Sequence, residues 1–377
     1  MRNDVDRPRD PEATMDKDKM KVFADKVYGD MAGAMAMGMA YIGVEKGLFG
    51  AMAGKGAMTK DEVTAATRLQ PRYVEEWLAG MTSAGYLEYD PEAETFTLPD
   101  EYSYLVASEG TDHFMGGLFC VTPVLLGIAP KVAEAFEKGG GIRFEEFGPE
   151  CVHALDLINS GQYEQRLASY WLPQLPDVTS RLQAGGRVLD VGCGVGRVAM
   201  SIAKAFPSAT VVGLDPDRES IRRARDAADA AGLAGSVAFI AGSTRDYRSE
   251  EPFDLVTAFD CVHDFAEPVA TLQEILSLIK PDGTLFIVEP RAADRLEQNI
   301  NSLGAVYYGF SLFHCMPQSL ANGGPGLGTC MGPARTAALV REAGFSTCEQ
   351  LGIRSQTHLF YAAKPNKPGK LSDQRTD

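Results

Sequence analysis

At 377 residues, 45% of them hydrophobic and 23% charged, the chain is long enough for two buried cores and too apolar to be disordered throughout. A formal net charge of -15 opposes docking on nucleic-acid phosphate or an anionic membrane, and no run of about 18 apolar residues reads as a membrane span. The charged opening MRNDVDRPRDPEATMDKDK lacks the apolar stretch of a signal peptide, so a cytoplasmic protein is expected. The seven cysteines are scattered without zinc-site spacing, so no metal is expected either.

Residues 1–16 are polar and contain proline, and they read as a disordered extension. From Lys19 to Ala53, alanine, methionine and other apolar residues fall on more than one helical face, the mark of a helix that something buries. Thr59 with Glu62 forms a capping-box pattern opening a short helix, and Pro71 suits the first turn of a second helix that ends at Gly85. Strand-like pieces at Tyr86–Tyr89 and Thr95–Leu98 then flank a turn at Asp90 and Pro91. Helix, turn, helix and hairpin make a winged helix within residues 17–108. Between Thr59 and Asp100, however, three basic residues stand against nine acidic ones, and the second helix carries Glu75 and Glu76. A face that docks phosphate is basic, so this domain is expected to pair two chains and help cover a substrate rather than to read DNA.

Residues 109–182 read as several helices, broken by Gly139–Gly141 and RFEEFGPE, that form a linker and lid. Over 183–364 the short apolar runs VLDV, TVVGLD, VAFIAG, FDLVTAFD and TLFIVEP alternate with helical stretches. That alternation predicts an α/β domain, a parallel sheet with helices on both faces. The tail 365–377 is polar and is expected to be disordered.

RVLDVGCGVGR sets Gly192, Gly194 and Gly196 between an apolar strand and a helix, where a tight turn brings backbone close to a ligand. Asp215 ends the second strand, 19 residues beyond Gly196, at the spot where a carboxylate accepts from both hydroxyls of a ribose. Asp190 ends the first strand, and its charge suits a sulfonium or amino group better than a pyrophosphate. Ser243 and Thr244 fall near an adenine edge, and Asp260 lies at the carboxyl end of the fourth strand. The GxGxxG spacing of nucleotide oxidoreductases is absent.

In order and wording these segments resemble the class I S-adenosylmethionine-dependent methyltransferase family, over about residues 180–290. The winged helix, SYWLPQLPDVTSRL and FHCMPQSLANGGPGLGTCMG extend the resemblance over nearly the whole chain, to bacterial winged-helix methyltransferases typified by a mycobacterial protein. CVHDFAEPVATLQEIL is similar to the catalytic stretch of plant-type small-molecule O-methyltransferases. The resemblance implies a Rossmann-like methyltransferase sheet, S-adenosylmethionine as cofactor, a small-molecule acceptor, and His263 as general base.

Methyl transfer is an in-line displacement at a sulfonium carbon, so a base is needed only when the nucleophile carries a proton. Oxygen or nitrogen acceptors would use His263. A thioether acid such as 4-methylthio-2-hydroxybutyrate would need no base, and Arg143 in the Gly-rich lid would grip its carboxylate. Asp264 is expected to cap the next helix with Glu267 as reciprocal partner, or else to orient His263. Tyr163, Tyr170, Trp171, Tyr307, Tyr308 and His314 are further candidates to line an acceptor pocket. Cys315 and Cys330 could suggest thiol chemistry or a metal, as in arsenic methylation, but no third ligand stands at suitable spacing, so they read as buried structural thiols. The rival reading is a transcription regulator that senses S-adenosylmethionine and binds DNA through the winged helix.

Overall fold

The computed structural model describes residues 15–365, so the extensions expected at 1–16 and 365–377 fall almost wholly outside it. The chain divides into two compact units, Met1–Ala107 and Ser108–Asp377. Among the described residues no single helix is long and apolar enough to cross a membrane.

The first unit runs α1 (Lys17–Glu45), α2 (Leu48–Met52), β1 (Met58–Thr59), α3 (Lys60–Thr67), α4 (Pro71–Ser83), β2 (Glu88–Asp90), β3 (Thr95–Thr97) and α5 (Asp100–Val106). The capping box opens α3: Thr59 Oγ1 accepts from the Glu62 amide at 3.3 Å, and the Glu62 carboxylate accepts from the Thr59 amide at 2.8 Å. Pro71 begins α4, and β2 and β3 pair antiparallel as the wing, joined by the short β1. Phe49, Met52, Val63, Val74, Trp77, Leu78 and Met81 fill the core, and Trp77 Nε1 donates to the Met39 carbonyl at 2.8 Å. Gly43 has no room for a side chain, since a Cβ there would stand 2.5 Å from the Phe49 ring.

In one respect α1 departs from expectation. Its only buried residues are Ala36, Ala40 and Gly43. Val22, Phe23, Val27, Tyr28, Met31 and Met35 are all exposed, so the apolar faces that composition assigned to a buried helix are not covered by any described residue.

The second unit begins with α6 (Gly116–Gly127), α7 (Ala129–Lys138), α8 (Pro149–Arg166) and α9 (Pro176–Gln183). The alternating region follows as β4 (Arg187–Val191), α10 (Arg197–Ala205), β5 (Thr210–Asp215), α11 (Arg218–Ala230), β6 (Val237–Ala241), β7 (Phe253–Phe259), α12 (Pro268–Leu278) and β8 (Ile279–Pro290). It closes with α13 (Ser302–Phe310), α14 (Met316–Ala321), α15 (Pro333–Glu342), β9 (Thr347–Gln350) and β10 (His358–Lys364). These strands form one sheet in the order β6-β5-β4-β7-β8-β10-β9.

Five strands are parallel, as the apolar runs predict, but the sheet is mixed: β10 pairs antiparallel with both β8 and β9. Side chains alternate across the sheet, because successive residues of a strand face opposite sides. Val188, Leu255, Phe286 and Phe360 join one core with Leu167, Trp171 and Ile202. Leu189, Val256, Ile287 and Tyr361 join the other with Leu272 and Leu339. Two π-helical turns, Leu167–Trp171 and Ser311–Cys315, interrupt the helices of this unit, a distortion often found at functional sites.

Candidate functional site

In an open α/β sheet ligands sit beyond the carboxyl ends of the strands, and here the neighbouring ends of β4, β5 and β7 carry most of the residues singled out from the sequence. The turn after β4 needs glycine at Gly192, Gly194 and Gly196, whose φ values are 68°, 51° and 82°. Two of these glycines play different parts. A Cβ on Gly196 would collide with the Phe239 ring at 2.4 Å, whereas one on Gly194 would meet nothing within 4 Å. Gly196 is a packing glycine, and Gly194 faces open space.

Asp215 at the end of β5 pins that turn, accepting from the Gly194 amide at 2.9 Å and from the Asp217 amide at 2.8 Å. Burial pushes its carboxyl up to about 6, against the pull of those two amides. Asp190 is only 1% exposed; one oxygen accepts from the Thr257 hydroxyl at 2.6 Å, and the other, Oδ2, has no partner. Burial raises its carboxyl to about 7, only partly offset by the Thr257 hydroxyl and the Ala199 amide, and the nearby Asp215 adds to the rise. Such a site holds two costly carboxylates until a cation is supplied. The hydroxyls expected near an adenine edge are engaged within the protein: Ser243 donates to Asp246 at 2.9 Å and Thr244 to Glu274 at 2.6 Å.

Asp260, just past β7, has a φ of 50°, which is strained for a residue with a Cβ. Its Oδ2 accepts from the Tyr163 hydroxyl at 2.6 Å and from Asn159 at 3.4 Å, and lies 3.2 Å from His358 Nε2. Burial opposes its charge, but His358 and Tyr163 outweigh burial and hold its carboxyl below the usual range. Tyr163 therefore serves an internal clamp. The next turn carries His263, 3% exposed, whose Nδ1 donates to Glu289 at 2.6 Å; the other Glu289 oxygen accepts from the Val262 amide at 3.0 Å. Burial works against the charge of His263, yet the Glu289 and Asp264 carboxylates outweigh it and hold the imidazole well above its ordinary value.

Sequence reading missed Glu289, although a carboxylate inside the apolar run TLFIVEP was a visible signal. Cys315, read from the sequence as a structural thiol, is buried, accepts from the Thr329 hydroxyl at 3.1 Å, lies 3.6 Å from His314 Nδ1 and sits within hydrogen-bond reach of His263. The expected capping role of Asp264 is corrected. α12 starts at Pro268 with Glu267 at its cap position, Glu267 pairs instead with Arg245, and Asp264 Oδ1 is buried without a hydrogen-bond partner, 3.7 Å from His263 Nε2. Proline cannot donate an amide, so it resets where that helix begins.

The other candidates are dispersed. Trp171 is 2% exposed and packed among Tyr163, Phe259 and Phe360. Tyr170 accepts from the Arg354 amide at 3.4 Å, and Tyr307 donates to the Thr357 carbonyl at 2.6 Å. Tyr308 and Arg143 are exposed, the latter opening a short 3-10 turn. His314 is buried against Phe147 and Phe144, with its Nε2 unpartnered. One further arrangement was invisible in sequence: Arg197, directly after Gly196, grips Asp156 through two 2.8 Å bonds and Glu164 through a third of 2.8 Å, tying the glycine turn to α8.

Residues 182–324 match the family model described as a methyltransferase domain. Residues 33–107, ahead of that match, fit the model of an Rv2258c-like winged HTH domain. A ubiquinone biosynthesis O-methyltransferase of Xanthomonas euvesicatoria pv. vesicatoria is 33% identical over 117 residues, 30% of this chain and 47% of that one. The methyltransferase phqN of Penicillium fellutanum is 29% identical over 119 residues, 31% of this chain and 36% of that one. The chain thus spans less than half the length of these curated relatives. Among solved structures, an O-methyltransferase family protein from Burkholderia thailandensis superposes with a TM-score of 0.64 at 17% identity, covering 94% of this chain and 99% of that one. Human N-acetylserotonin methyltransferase in complex with SAM gives 0.63 at 19% identity, covering 91% and 98%. At such identities these superpositions establish a shared fold.

Proposed function

We propose that this protein transfers the methyl group of S-adenosylmethionine to a small-molecule acceptor, with oxygen as the receiving atom. The observation that carries the reading is the unpartnered Asp190 Oδ2, on a carboxylate that burial makes costly, at the end of the strand next to the one whose Asp215 pins the open turn at Gly194. A cation with an adjacent sugar diol meets that demand: Asp190 would hold the charged methionine portion, and Asp215 would accept from the ribose hydroxyls. The cofactor supplies an already activated methyl, so the chain's own task is to align a nucleophile and exclude water. The acceptor belongs at the adjoining end of β7, where His263, Asp264 and Cys315 converge. Arg143 stands exposed beside Glu145 and Glu146, so no observation favours a carboxylate-bearing thioether over oxygen.

Calorimetry tests the reading. S-adenosylmethionine is expected to bind with measurable heat at pH 8, and its affinity to fall about tenfold per pH unit below about 7, as protonation of Asp190 competes with the cation. Binding at pH 6 should also release protons, seen as a dependence of the heat on the buffer's ionisation enthalpy. A pure, folded protein that gives no heat with this nucleoside or its demethylated product would sink the reading.

The exposed apolar length of α1 supports a homodimer formed through the first unit, because burying Phe23, Val27, Tyr28 and Met31 removes a large hydrophobic surface from water. Phe23→Glu with Val27→Glu is expected to convert a dimer into a monomer in size-exclusion chromatography with light scattering. A wild-type chain that is monomeric at micromolar concentration speaks against it.

A further inference from the structure

We propose that His263, Asp264 and Cys315 bind a borderline-soft divalent metal ion of the zinc type. One ligand atom each of His263, Asp264 and Cys315 lies within 4.8 Å of the other two, and His263 Nε2 stands 3.7 Å from Asp264 Oδ1. A tetrahedral zinc ion, with bonds of about 2.0–2.3 Å to such atoms, needs its donors roughly 3.3–3.8 Å apart, so only small side-chain adjustments close the site. Asp264 Oδ1 supplies the independent sign: it is buried and no hydrogen-bond donor meets it. Carboxylates left in that condition are costly, and a metal ion relieves the cost.

The surrounding groups fit a metal better than they fit chance. His263 Nδ1 is engaged by Glu289 at 2.6 Å, which turns the Nε2 lone pair toward Asp264 and Cys315. A carboxylate on the far nitrogen of a ligating histidine is the usual way such a ring is oriented and made more basic. Thr329 donates to the Cys315 sulfur at 3.1 Å, steadying it as a thiolate. Imidazole, thiolate and a single carboxylate select zinc or cobalt over magnesium or calcium, which require oxygen donors.

Three protein ligands leave a fourth position open, the pattern of catalytic rather than structural sites. The turn after β7 that carries His263 and Asp264 meets the turn after β4, since Cys261 lies 2.9 Å from where a Cβ on Gly192 would be. An acceptor hydroxyl on the metal would release its proton to solvent at neutral pH, its oxygen lone pair then forming the new O–CH₃ bond as the sulfonium C–S bond breaks and its electron pair leaves with S-adenosylhomocysteine. His263 is then a ligand and not the base that the sequence resemblance implies. The metal-binding claim stands apart from the methyl-transfer reading; only the role of the bound ion rests on it.

The test uses the full-length protein, stripped with dipicolinate and reloaded with Zn²⁺ or Co²⁺. Mass spectrometry of the desalted protein should find one metal per chain, and the cobalt form should show a near-ultraviolet thiolate-to-cobalt charge-transfer band. Cys315→Ser is expected to abolish that band, and Asp264→Asn to weaken metal retention at least tenfold while keeping the wild-type circular dichroism spectrum. The proposal is overturned if the reloaded protein holds less than a tenth of an equivalent, if Cys315→Ser keeps the band, or if Asp264→Asn retains metal like the wild type. Cofactor heat measured on the same samples separates the two claims: heat without metal removes only this one, and metal without heat removes only methyl transfer.

Discussion

Asp190→Asn is expected to weaken S-adenosylmethionine binding about 100-fold while leaving the empty protein at least as stable as the wild type above pH 7. Asparagine keeps an oxygen for the Thr257 hydroxyl, which donates to Asp190 at 2.6 Å, so the fold loses little. What disappears is the negative charge with the free oxygen. Because burial lifts this carboxyl from 3.8 to about 7, its contribution to stability is present below about pH 4 and is lost as the pH rises through 7. The variant never ionises, so its thermal midpoint should vary less with pH across that window. Calorimetry at pH 8 and thermal unfolding at pH 5 and 8 check both halves. An asparagine variant that binds the cofactor as tightly as the wild type would show that the charged methionine portion lies elsewhere.

Trp171→Ala is expected to cost about 3–5 kcal/mol of stability and to leave the KM for the acceptor unchanged in whatever fraction stays folded. The indole is 2% exposed and meets Phe360 at 4.9 Å edge to face, with Phe259 and Tyr163 each 6.1 Å away. Four rings interlocked on one side of the sheet leave a large void when the central one is removed, and partial collapse recovers only part of the loss. Urea denaturation with paired initial-rate kinetics distinguishes the cases: a raised KM with intact stability would make Trp171 an acceptor contact after all.

What could be read directly from the sequence was local. The glycine turn, Asp190 and Asp215 occupy two consecutive strand ends, and the five apolar runs of the parallel strands stand out because strands covered on both faces are apolar throughout. The winged helix was equally visible, through the capping box at Thr59 and the proline at the head of α4. Less accessible was anything that depends on distant segments meeting. Strand β10 enters between β8 and β9 against the direction of both, a placement that its own residues do not encode. Cys315 reaches His263 from the far side of β8 and α13, so no ligand spacing betrays the cluster. Composition declared α1 apolar all round but is silent on whether its cover comes from the same chain. Aromatic residues posed the opposite problem, since Trp171, Tyr163 and His314 look alike in sequence whether they line a pocket or fill a core.

Helix α8 is fastened at two places. Asp156 and Glu164 hold Arg197 next to the glycine turn, and Asn159 and Tyr163 hold Asp260 ahead of His263. One stiff rod therefore sets the gap between the turn that would cradle the donor and the turn that would face the acceptor. Molecules too short or too long to bridge that fixed span would be refused by reach alone, however well their ends fit.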